Sequence, residues 1–69
     1  MRTHSIPMHV RTNGRSYRLD ARPDVRRMRD DDVARYAEES LGMRRGALAD
    51  HAVDRDENNV VIRPWAVWG

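Results

Sequence analysis

The chain contains no cysteine. That excludes a disulfide framework and any thiolate metal site, and it fits a cytoplasmic protein. No apolar run approaches the ~18 residues that a membrane-spanning helix needs, so no membrane segment is expected. The first residues carry no apolar h-region, so no secretory signal is expected either. Lysine, glutamine and phenylalanine are also missing, and all 13 basic residues are arginine. Arginine presents a planar fork suited to phosphate and carboxylate, which a lysine-based surface would not.

At 69 residues the chain is expected to be one domain. A chain of this size buries only about 60% of its unfolded surface. Tight packing and self-association are the stabilisers left to it.

The clearest organising stretch is 4–22. Asn13-Gly14 suits the two central residues of a type I′ turn, which both need φ > 0. Taking them as the loop sets the pairs Thr12–Arg15, Arg11–Ser16, Val10–Tyr17, His9–Arg18, Met8–Leu19, Pro7–Asp20 and Ile6–Ala21. Alternation then puts Ile6, Met8, Val10, Tyr17, Leu19 and Ala21 on one face. Ser5, Pro7, His9, Arg11, Ser16, Arg18, Asp20 and Arg22 fall on the other. A one-residue slip would set apolar residues against polar ones, so turn chemistry and alternation agree. Pro7 lacks a donor N–H, which predicts an edge strand or at least a gap in the ladder at that position.

Charge is unevenly spread. Residues 1–29 hold eight arginines against Asp20 and Asp24, a net +6, whereas residues 30–69 hold five arginines against nine acids, a net −4. Such a split points to a basic face for a polyanion, or to a bipolar molecule that pairs with itself or with an acidic partner.

Arg22-Pro23 ends the second strand, and Arg26, Arg27 and Arg29 follow with Val25 and Met28 between them. Asp30-Asp31-Asp32 suits the start of a helix, as N-cap and first-turn acids. Val33, Tyr36, Ala37, Ser40 and Leu41 give an apolar stripe, and Gly42 a stop, so the spacing predicts a helix over 31–41. Arg35 stands four residues from both Asp31 and Glu39, which favours ion pairs along the outer face. Met43, Ala47, Leu48, Ala52 and Val53 predict a second short helix over 43–53, weakened at Gly46 by about 1 kcal/mol relative to alanine. A polar turn over 54–59 leads to a strand at 59–63, and Pro64 predicts an edge or a break there.

Several candidate sites weaken on inspection. Residues 33–48 loosely resemble a helix-turn-helix, with Arg44-Arg45 opening the second helix. Ser40 sits like an insertion, Gly46 falls inside the would-be recognition helix, and four acids follow. An αα-hairpin packed on a sheet fits the same residues better. Asp54, Asp56 and Asn58 mimic the opening of a calcium loop, but Asn59 stands where glycine is needed and Trp65 where a bidentate glutamate is needed. His4 and His9 lie on opposite strand faces and cannot converge on one metal ion. Ser40, His51 and Asp54 supply the residue types of a hydrolytic triad without a supporting motif. No enzyme, metal or cofactor is expected.

The sequence therefore predicts an α+β fold. An N-terminal β-hairpin, one or two helices within 31–53 and a C-terminal third strand near 59–67 would form a small antiparallel sheet covered on one face by helix. The expected function is a small non-catalytic nucleic-acid-binding or regulatory module. Arg11, Arg15, Arg18 and Arg22 would contact phosphates, with Arg26, Arg27 and Arg29 extending the patch. Base readout would fall to His9, Asn13 or the Arg44-Arg45 turn. The alternative is a protein-interaction module, a homodimeric adaptor or inhibitor, using the bipolar charge and a C-terminal strand that carries Trp65 and Trp68.

Overall fold

The structure is a computed structural model that describes residues 5–56 and 58–65. His4, Glu57 and Trp68, and the continuation of the last strand to residue 67, lie outside these residues.

The chain runs through strands β1 (Ile6–Thr12) and β2 (Arg15–Ala21), a 3₁₀ turn (Pro23–Arg27), helix α1 (Asp30–Leu41), and strands β3 (His51–Arg55) and β4 (Val60–Pro64). It is an α+β fold with a four-stranded sheet in the order β2-β1-β4-β3. All seven hairpin pairs follow the register set by Asn13-Gly14. Both turn residues lie at positive φ, +51° and +73°, as the type I′ geometry requires. An alanine at position 14 has open space around its Cβ but must adopt that left-handed backbone. Gly14→Ala is therefore expected to cost about 1–2 kcal/mol, read as a lower urea midpoint with an unchanged m-value.

The rest of the sheet departs from the expected layout. The sheet is mixed, because β1 pairs parallel with β4 through Met8–Val60, His9–Val61 and Val10–Ile62. The hairpin thus gains its neighbour along β1, which makes β1 a central strand despite Pro7. The two-residue turn makes Pro7–Asp20 a non-hydrogen-bonded pair, so the missing N–H points away from β2. On that side the pairing with β4 begins only at Met8. Pro64 likewise closes a central strand as its last residue, opposite His51.

Residues 43–53 do not form a helix. A run of turns over 45–50 leads directly into β3, with hydrogen bonds from Ala47 N to Arg44 O, Ala49 N to Gly46 O and His51 N to Leu48 O. Two features break helical continuity. Gly46 takes φ +90°, and the Glu38 carboxylate accepts hydrogen bonds from Gly46 N (3.0 Å) and Leu48 N (2.9 Å). Glu38 is 4% exposed, a core-facing position on α1 where the stripe pattern would place an apolar residue. Its two backbone partners compensate the burial of its charge. Neither a helix-turn-helix nor an αα-hairpin exists here, and β3 supplies the extra strand.

Helix α1 begins one residue earlier than predicted. Arg29 holds the N-cap position and makes no side-chain cap, while Asp30, Asp31 and Asp32 fill the first turn, where negative charge complements the helix dipole. Asp30 instead accepts from Arg55 Nη2 at 3.0 Å, and the same guanidinium donates to Met28 O at 2.6 Å. That fork ties the helix start to the end of β3. Among the described residues Arg35 forms no ion pair with Asp31 or Glu39. The core lies between α1 and one face of the sheet. Met8, Val10, Ala21, Val25, Val33, Ala37, Leu48, Val60 and Ile62 are all fully buried there.

Candidate nucleic-acid interface

Helix α1 lies on one side of the sheet, and among the described residues no element covers the other, open face, where strand alternation decides which side chains stand. One row crosses all four strands as Arg18, His9, Val61 and Asp54. The next row toward the hairpin tip carries Ser16 and Arg11 on one pair of strands, and Arg63 and Ala52 on the other. Arg11 and Arg63 each lie two residues beyond the His9–Val61 pair, so they stand side by side across the parallel pair. The open face therefore gathers Arg11, Arg18 and Arg63 around His9 and Val61.

Two of these arginines are engaged. Arg18 Nη2 lies 3.6 Å from Asp20 Oδ1, with both side chains about three-fifths exposed. Arg63 Nε donates to Asp54 Oδ2. Exposed pairs of this kind contribute little, roughly 0–1 kcal/mol, and yield readily to a better partner. Arg11 is exposed and makes no ion pair among the described residues. It lines two shallow recesses of about 370 and 320 Å³. The first is shared with His9, Ser16, Tyr17 and Val61. The second includes Arg15 and Pro64, so Arg15 joins Arg11 at the hairpin tip although its register places it with Thr12, opposite the open face.

The remaining predicted contacts lie elsewhere. Arg22 is held on the helix side. Its guanidinium stacks 5.5 Å above the Tyr36 ring, its Nε lies 3.5 Å from Asp24 Oδ1, and its backbone N–H donates to Tyr36 Oη at 3.1 Å. Arg26 and Arg27 are exposed on the 3₁₀ turn and line a groove with Ile6, Pro23 and Asp24. Arg29 is exposed just before α1. The seven arginines thus divide between the tip half of the sheet and the far end of the hairpin. A seven-residue strand separates the two zones by roughly 20 Å at about 3.3 Å per residue. That is about the span of six phosphates on one strand of a duplex. Arg63 is the residue that sequence reasoning missed. Its strand was visible, but only the parallel β1–β4 pairing puts it beside Arg11.

Other sequence candidates resolve into structural roles. His51 is engaged at both ring nitrogens: Nδ1 donates to Asp50 Oδ1 at 3.0 Å, and Nε2 shares a hydrogen bond with Thr12 Oγ1 at 3.0 Å. It thereby reaches over Pro64 to tie β3 to β1. Asp54 belongs to Arg63, and Ser40 is exposed on α1, so the Ser40–His51–Asp54 combination is not assembled. Asp56 Oδ1 accepts from Asn58 N and Asn59 N at 3.0 and 2.9 Å, an Asx turn that shapes the β3–β4 connection. Arg45 faces Arg35 and Glu38 across a cleft of about 320 Å³ on the helix side, and Asp30 and Asp31 on its rim oppose phosphate. Trp65 follows Pro64 and is 63% exposed. Among the described residues, no group of three or more His, Asp or Glu side chains has the geometry to hold a metal ion, and no helix is long and apolar enough to cross a membrane.

No protein-family model, curated protein or solved structure matches this chain.

Proposed function

We propose that this protein is a small non-catalytic nucleic-acid-binding or regulatory module that contacts phosphates through the basic face of its hairpin, in the cytoplasm. The observation that carries this reading is the gathering of Arg11, Arg18 and Arg63 on the open sheet face, with Arg11 unpaired among the described residues and exposed. A four-stranded face with guanidinium groups standing from it suits a backbone of regularly spaced phosphates. Arg15 at the tip extends the contact, and Arg22, Arg26, Arg27 and Arg29 offer a second zone for a ligand long enough to reach it. Phosphate contacts position a protein without reading sequence. His9, in the middle of the face, is the side chain best placed for a base edge.

The test is fluorescence anisotropy of a labelled random duplex and a labelled single strand at about 50 and 200 mM salt, a range over which several phosphate contacts cost orders of magnitude in affinity. Binding at the lower salt that collapses at the higher is the expected result. No binding of either probe at the lower salt refutes the reading.

The exposure of Trp65 favours a second reading, a protein-interaction module acting as a homodimeric adaptor or inhibitor. Large aromatic side chains are enriched among interface anchors. Binding of that kind tolerates salt and is lost on Trp65→Ala, whereas phosphate binding follows the arginines.

A further inference from the structure

The sheet order leaves β2 and β3 as its two outer strands, and among the described residues no strand lies beyond either. Each outer strand presents a row of main-chain groups able to pair with another strand. The two edges differ in charge. Along β2 and its exit stand Arg15, Arg18 and Arg22 against Asp20, a net +2. Along β3 and its flanks stand Asp50, Asp54 and Asp56 against Arg55, a net −2. Neighbouring elements deepen the contrast. The 3₁₀ turn after β2 adds Arg26 and Arg27 against Asp24, and the Asp30–Arg55 bond holds the first turn of α1, with its three aspartates and Arg29 at its N-cap, beside β3.

We infer that a second copy of this chain docks edge to edge, the β2 rim of one molecule against the β3 rim of the next. Pairing like with like, β2 to β2 or β3 to β3, sets same-sign charges against each other, whereas β2 to β3 sets Arg15 and Arg18 against Asp50 and Asp54. Such an interface is head-to-tail. Each molecule keeps one basic and one acidic rim free, so assembly continues into a ring or a filament rather than stopping at a symmetric dimer. The main-chain ladder supplies the attachment and the rim charges choose the edge. This inference stands independently of nucleic-acid binding, because it concerns the protein alone.

The experiment is sedimentation velocity on nucleic-acid-free protein from about 10 to 500 μM, a range that covers weak self-association. Two charge-reversed proteins accompany the wild type: R15E/R18E, with two acidic rims, and D50R/D54R, with two basic rims. Far-UV circular dichroism checks each for folding, and D50N/D54N replaces D50R/D54R if that protein unfolds. The wild type is expected to form species larger than a dimer, with an association constant at least about tenfold weaker at 500 than at 50 mM salt. Each reversed protein is expected to sediment as a monomer, and an equimolar mixture of the two to associate again. A wild type that stays monomeric throughout overturns the inference. So does association that stops at a dimer, that survives either reversal, or that is not restored on mixing R15E/R18E with D50R/D54R.

Discussion

Replacing Glu38 with alanine is expected to remove a large share of this protein's stability. The substitution removes the acceptor of two backbone N–H groups, Gly46 and Leu48, and the Leu48 bond is buried. Bonds to a charged acceptor contribute about 1.5–3 kcal/mol, and a buried donor left unmet costs about 1–3 kcal/mol. The Gly46 bond is only partly buried, so water recovers some of its share. A net loss of about 3–5 kcal/mol follows. At roughly 0.05–0.15 kcal/mol per residue, a chain of this length has about 3–10 kcal/mol in all. Urea denaturation followed by circular dichroism is the measurement. Glu38→Gln keeps one good acceptor oxygen and should fall between the wild type and Glu38→Ala. A midpoint for Glu38→Ala equal to the wild type's would mean that the 45–50 turns hold themselves without the carboxylate.

The second large effect concerns binding. Replacing Arg11, Arg18 and Arg63 together with alanine is expected to lower nucleic-acid affinity about 10–100-fold at low salt, since each phosphate contact is worth a substantial share of the electrostatic term. Replacing Arg26, Arg27 and Arg29 together should lower it only about threefold on a probe long enough to span both zones. The fold should survive either change. The pairs lost, Arg18–Asp20 and Arg63–Asp54, are on or near the surface and contribute roughly 0–1 kcal/mol each. Equal losses from the two triple variants would move the contact surface away from the open sheet face.

What the sequence makes legible is what is local. The Asn13-Gly14 turn and the alternation on either side of it determine seven pairs without help from the rest of the chain. The α1 stripe is likewise visible within one element. The hidden parts depend on contacts between distant residues. Leu48 and Ala52 satisfy a helical spacing, but the Leu48 N–H goes to Glu38, ten residues back, and Gly46 turns the chain left-handed before a helix can form. The β3 strand is five residues long with only Ala52 and Val53 apolar, too short to show alternation. Pro7 and Pro64 read as edge signals because a lone sequence does not reveal which side of a strand is left unpaired. Both sit on central strands at positions where the missing donor costs no ladder bond or where the strand ends. The same distance in sequence hid Arg63, since nothing near residue 63 announces that β4 lies parallel to β1.

Phosphate contact by the open face of the sheet, as proposed, is tested by the slope of log affinity against log salt concentration for a short duplex or single strand, measured for the wild type and for the Arg11, Arg18 and Arg63 triple alanine variant. Each lost phosphate contact should reduce the steepness by about 0.9 on a duplex and about 0.7 on a single strand, so the triple variant should lose about 2–3 units of slope. An unchanged slope, or a wild type that does not bind at low salt, would contradict the claim and leave these arginines as a solvated or protein-facing surface.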